Sequence, residues 1–184
     1  MTHLFVIRHG ETDFNAEGRL QGSIDTDLND KGIAQARQAA DNLLGMGIEA
    51  IVSSPLKRAS QTAAIIAEKL QLEVLYLPQF VERCLGFFEG MTYTEIGKNY
   101  KTELETWTRQ YFSAPPGGES IFEVSLRVHN GLERIHSLYP EKTVLLVTHG
   151  YVGRIIHGIQ NKLTDKAFYE FLPANGEIAE YIFD

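Results

Sequence analysis

Thr143-Val144-Leu145-Leu146-Val147-Thr148-His149-Gly150 carries four aliphatic residues in succession, with no polar alternation. That pattern predicts a strand buried on both faces of a parallel sheet, because an antiparallel strand with one wet face would alternate. The run ends in Thr-His-Gly, and Val152, Ile155, Ile156 and Ile159 then recur at the spacing of a helix facing inward. Leu4 to Ile7 is a second uninterrupted run, and Ala50-Ile51-Val52 and Leu72 to Leu77 read as two more short strands, the last ended by Pro78. Glu177 to Phe183 alternates, as a late edge strand does.

Helices fall between these strands. One begins near Asn29 or Asp30, with Ile33, Ala36, Ala40, Leu43 and Leu44 on one face, and Gly45 and Gly47 stop it. Ser54-Pro55 supplies an N-cap hydroxyl and a proline at the first helical position for a helix running through Ala59, Ala63, Ile66 and Leu70. Thr92 with Glu95 and Ser120 with Glu123 match the capping box, so each opens a helix. The Ser120 helix carries Ile121, Val124, Val128, Leu132, Ile135 and Leu138 on one stripe and ends by Pro140. Arg8 to Asn29 and Glu82 to Gly90 show no period and read as loops. Strands alternating with helices imply an α/β fold, a three-layer α/β/α sandwich on a mostly parallel central sheet, with residues 1–184 as one domain.

The bulk numbers agree with a folded enzyme-sized domain. The chain has 184 residues, 43% hydrophobic and 22% charged, enough to bury roughly 70% of its unfolded surface. Its single cysteine, Cys84, cannot form an internal disulfide. Four apolar residues at the N-terminus are too few for a signal-peptide core or a membrane span, and a cytoplasmic protein with no membrane partner is expected. A net charge of −7 argues against a nucleic-acid partner, whose backbone needs a basic surface. Any phosphate recognition must be local.

In a parallel sheet, ligands sit beyond the carboxyl ends of the strands. Three polar clusters follow strand ends here: Arg8-His9-Gly10-Glu11-Thr12, Ser54 to Arg58, and Thr148-His149-Gly150. Together they offer two guanidinium groups and two imidazoles, the groups that grip a phosphate dianion and attack its phosphorus. The cations also disfavour protonation of His9, which must be neutral to be a nucleophile. With Thr62, and with Glu82 ahead of a Gly-rich loop, these motifs in this order resemble the histidine phosphatase superfamily, which includes the phosphoglycerate mutases, over nearly the whole chain.

That resemblance implies a phosphoglycerate mutase-like fold and a small phosphomonoester as substrate. It implies His9 as phosphoryl acceptor, Arg8, Arg58 and His149 as phosphate ligands, and Glu82 as proton donor, with Asn15 and Gly150 completing the pocket. Glu11 and Glu89 are the competing carboxylates, Glu11 the one better suited to orienting backbone; Lys57 and Arg83 read as solvated or rim charges, with substrate contact the alternative for Arg83, and Ser120 reads as a cap, with substrate contact from Gly118-Glu119-Ser120 the lesser alternative. Phe87, Phe88, Trp107, Tyr111 and Phe112 are either core or the apolar mouth of the pocket, the latter suiting an apolar or cyclic leaving group.

No cofactor is expected, and no metal. His9, His149 and Glu82 form a conceivable zinc set, but no His-Glu-x-x-His or Cys-x-x-Cys spacing supports one, and two arginines would repel a cation. The rival within the family is a bisphosphoglycerate-dependent phosphoglycerate mutase. Its carboxylate-binding tyrosine and lysine correspond here to Leu85 and Tyr93, and its paired arginines reduce to Arg109. The Gly86 to Gly90 and Pro116 to Ser120 runs look more like the broad-specificity and α-ribazole phosphatase branches. A non-catalytic phosphate-binding module is the third reading, and it would expect His9 or Glu82 to be lost.

Overall fold

The computed structural model describes residues 1–163 and 165–183. In chain order these form β1 (Thr2–Arg8), α1 (Asp13–Ala16), α2 (Asp30–Leu43), β2 (Ala50–Ser53), α3 (Lys57–Leu70), β3 (Val74–Tyr76), α4 (Tyr93–Asn99), α5 (Lys101–Arg109), α6 (Ile121–Leu138), β4 (Thr143–Thr148), α7 (Gly150–Asn161), α8 (Asp165–Glu170) and β5 (Ile178–Phe183). The sheet order is β3-β2-β4-β1-β5, parallel except for the antiparallel β5 edge.

The strand with the most continuous apolar run, β4, lies at the centre, where both faces need cover. Val144 and Leu146 join Leu4, Val6 and Val52 under α6 and α7, whereas Leu145 and Val147 join Phe5, Ile7 and Ile51 under α2 and α3. Alternate side chains of one strand therefore bury against opposite helix layers, and the three-layer sandwich follows. A smaller cluster of Leu20, Leu85, Phe88, Ile96, Trp107 and Tyr151 builds a roof at the carboxyl ends of the strands.

Several local expectations need correction. Leu44, Leu138 and Ile159 are about half exposed, because each sits at or beyond the last turn, where the apolar stripe has rotated away from the core. The helix expected at Ser54-Pro55 starts at Lys57 instead. The Ser54 hydroxyl meets His149 and accepts from the Leu56 N–H ahead of the helix, and Leu56 takes the N-cap position without a side-chain cap of its own. The loop between Arg8 and Asn29 contains the short α1, closed by a reciprocal Thr12–Asn15 capping box. α5 and α8, nine and six residues long, are too short for an apolar period to mark them.

Gly10 and Gly32 fix where the loop after β1 crosses α2. A Cβ on Gly32 would overlap the Glu11 carbonyl oxygen, and one on Gly10 would overlap the Gly32 carbonyl. Gly→Ala inside a helix ordinarily stabilises. Gly32→Ala is expected to do the opposite, lowering stability by about 2 kcal/mol through backbone overpacking, read as a lower melting temperature. A rise in melting temperature would show that the two backbones can separate freely.

Candidate active site

The parallel register Arg8↔Thr148 brings the first and third polar clusters side by side. The His9 backbone N–H extends this pairing by donating to the Thr148 carbonyl at 2.9 Å. The two imidazoles consequently meet edge to face, with centroids 5.2 Å apart. A pocket of about 200 Å3 opens above His9, and Arg8, Asn15, Arg58, Glu82 and Gly150 also line it. His149 lies behind His9, fully buried, and borders a small closed void together with Arg8 instead of the main pocket.

Each group is held by identifiable bonds. His9 Nδ1 lies 2.7 Å from the Gly10 carbonyl. A carbonyl only accepts, so Nδ1 carries the proton and Nε2 keeps its lone pair. The Gly10 N–H donates to Thr62 Oγ1, which in turn donates to the Arg58 carbonyl, tying the His9 loop to α3. Arg58 donates through both Nη atoms to the Ile24 and Gly22 carbonyls, and Arg8 through Nη1 to the Pro173 carbonyl. The Nε atoms of Arg8 and Arg58 and Nδ1 of His149 are buried without a protein partner. The two arginine Nε–H groups are donors that call for an acceptor, and a phosphate oxygen is one. Glu82 accepts from the backbone N–H of Arg83 at 2.8 Å and, less closely, from that of Tyr151 at 3.3 Å in the first turn of α7.

His149 Nε2 lies 2.7 Å from Ser54 Oγ. Ser54 Oγ also accepts from the Leu56 N–H, which anchors the hydroxyl that meets His149. The electrostatics are dominated by burial beside cations. Desolvation first, then the charges of Arg58 and Arg8, hold His9 well below the usual imidazole range, and His149 is depressed in the same direction by burial, Arg58, His9 and Arg8. Burial pulls the Arg58 guanidinium down to about 10, which leaves it cationic at neutral pH.

These imidazoles make the fold acid-sensitive. Both are neutral when folded, whereas in the unfolded chain each takes up a proton as pH falls below 6.5. The unfolded state then binds more protons, so the stability present above pH 6.5 is lost as pH falls, by up to about 1.4 kcal/mol per pH unit for each imidazole. Urea unfolding from pH 7.5 to about 5.5 should show this decline, flattened in His149→Gln. A flat wild-type profile would contradict it.

Arg83, expected at the rim, is instead fully buried. It donates to the Glu119, Trp107 and Ser113 carbonyls and lies between the Trp107 and Tyr151 rings at 5.4 and 5.0 Å. Arg127 donates to the carbonyls of Gln79, Val81 and Glu82, so two arginines fix the segment that carries Glu82. Lys57 is exposed beside Asp27, and Ser120 caps α6 as expected. Glu11 holds Lys31 and Asn29, and Glu89 accepts from Ser23 and Leu85, so both carboxylates are committed to loop structure. Of the five candidate aromatics, Phe88 and Trp107 are core, Phe87, Tyr111 and Phe112 are exposed, and none lines the pocket. Tyr93, Tyr151, Leu85 and Leu172 provide its apolar wall.

Contacts that escaped the sequence reading come largely from the segment before β5. The Asn175 side chain donates to the His9 carbonyl at 2.8 Å, and Pro173 receives Arg8. The Asn175-Gly176 pair signals a turn, but nothing local points it at His9. Among the described residues, no group of three His, Cys, Asp or Glu side chains is arranged to hold a metal ion, and no helix is long and apolar enough to cross a membrane.

Two guanidinium groups converging with two neutral imidazoles at the carboxyl end of a parallel sheet define an α/β protein built to handle phosphate. Residues 4–184 match the histidine phosphatase superfamily (branch 1), and the chain belongs to that superfamily. It is 38% identical to the uncharacterized phosphatase PhoE of Bacillus subtilis (strain 168), over 89% of this chain and 78% of that protein. It is 37% identical to the probable phosphoglycerate mutase GpmB of Cronobacter sakazakii, over 82% of this chain and 70% of that one. Among solved structures, mycobacterial glucosyl-3-phosphoglycerate phosphatase with VO3 superposes with a TM-score of 0.89 at 29% identity, covering 97% of this chain and 90% of that one.

Proposed function

We propose that this protein hydrolyses small phosphomonoesters in two steps, through a phosphohistidine on His9 and without a metal ion. The observation that carries this reading is the Nδ1 contact to Gly10, which leaves the Nε2 lone pair available in a pocket walled by Arg8 and Arg58. In the first step Nε2 attacks phosphorus, the ester P–O bond breaks, and the departing oxygen takes the proton of the Glu82 carboxyl group. In the second, the Glu82 carboxylate takes a proton from water, the water oxygen bonds to phosphorus, and the N–P electron pair returns to Nε2. Arg8 and Arg58 meet the equatorial oxygens, where transition-state charge is spread, Asn15 and Gly150 border the phosphate, and the neutral His149 imidazole backs His9 from behind the pocket.

The phosphatase names among the relatives support hydrolysis over phosphoryl shuttling. So do Leu85 and Tyr93, which line the pocket where the mutases carry a tyrosine and a lysine. Retention of His9 and Glu82 speaks against a non-catalytic binding module. The test is phosphate release from a panel of phosphomonoesters, with and without chelator and with and without 2,3-bisphosphoglycerate priming. Release that persists in chelator supports the proposal. Activity only after priming, or only with added divalent metal, would overturn it.

A further inference from the structure

The space around His9 is small, but a cleft of about 710 Å3 adjoins it, and Tyr93 and Tyr151 line both. A leaving group that extended from the His9 pocket across these two phenols would reach this cleft, which residues of α4, α5, α7 and α8 line. Among the described residues, its charged groups are Arg109 at the end of α5, Arg154 in the second turn of α7 and Glu170 at the end of α8. None of them has a part in the two steps above.

Arg154 is the ordered cation of the three. Its Nε donates to the Phe171 carbonyl at 2.6 Å, and its guanidinium lies 4.9 Å over the Tyr151 ring. With Nε anchored and one face stacked, the Nη edge is the part left to meet a ligand, and this edge is the fork that matches a carboxylate or phosphate in bidentate fashion. The Arg154 charge is also felt at the Arg8 guanidinium and the Tyr93 phenol, which ties the cleft electrostatically to the phosphate pocket. In a chain of net charge −7, Arg109 and Arg154 against Glu170 make a locally cationic cleft beside an already cationic pocket.

We infer that this cleft is the leaving-group subsite, and that Arg154, assisted by Arg109, selects phosphomonoesters whose leaving group ends in a second anionic group, a carboxylate or a phosphate. The inference rests on the phosphatase reading above.

The experiment compares kcat/KM for matched pairs: phenyl phosphate against 4-carboxyphenyl phosphate, and a hexose 6-phosphate against the corresponding 1,6-bisphosphate. Wild type should favour the doubly anionic member of at least one pair by about tenfold or more, the range of a charge-assisted contact. Arg154→Gln should bring that ratio close to one, Arg154→Lys should keep part of it, and Arg109→Gln should reduce it a few-fold. Arg134→Gln, on the exposed face of α6, should leave the ratio as in wild type. Because each ratio is taken on one preparation, partial unfolding lowers both rates and cancels. The pair that shows the preference identifies the second anion as carboxylate or phosphate. A wild-type ratio near one in both pairs, or a ratio that survives Arg154→Gln, overturns the subsite while leaving the phosphatase reading intact. If no ester is hydrolysed, that reading fails and the subsite falls with it.

Discussion

Replacing His9 with alanine is expected to lower phosphate release by about 10⁴-fold or more, since loss of a covalent nucleophile removes the reaction path and leaves only the binding groups. Arg8, Arg58 and Glu82 remain in the variant, so inorganic phosphate should still bind, measurably by calorimetry. That retained binding separates a lost nucleophile from a lost fold. Wild-type protein quenched during turnover should carry a phosphoryl group on the peptide containing His9, and the variant should carry none. A His9→Ala protein within tenfold of wild type would eliminate the phosphohistidine path.

Arg58→Gln should have the next largest effect, for two separable reasons. It removes a cation from the phosphate and should lower kcat/KM by about 10³-fold, the range found when a transition-state cation is lost. It also removes one of the two charges that push the His9 imidazole down. The His9 pKa must then rise, so the acid limb of the kcat/KM profile should move to higher pH. Arg58→Lys keeps the charge but not the paired bonds to the Gly22 and Ile24 carbonyls, so it should be slow without moving that limb as far. An acid limb that moved to lower pH in Arg58→Gln would show that the arginine does not act on His9 as argued.

Much of the architecture was legible because it is written in local patterns. The aliphatic run of β4 announced a strand covered on both sides, and both faces are buried under helices. The Thr92 and Ser120 capping boxes each open a helix. Six of the seven expected site residues line one pocket, with His149 behind His9. Arg83 shows where local reading fails. Its three carbonyl acceptors lie 24 to 36 residues away on the segment leading into α6, so nothing near position 83 marks it as buried. The aromatics fail for the related reason that Phe87 and Phe88 are identical on paper, and only packing sends one into the roof and leaves the other exposed.

The alternation of the main strands and helices, the Thr92 and Ser120 caps and the burial of β4 were properties of the sequence by itself, since periodicity and cap chemistry act within a few residues of one another. The meeting of His9 with His149, the capture of His9 and Arg8 by Asn175 and Pro173, and the burial of Arg83 were decided by tertiary structure alone. They depend on strand register and on partners as far as 166 residues apart, and such contacts form only when the two helix layers close on the sheet.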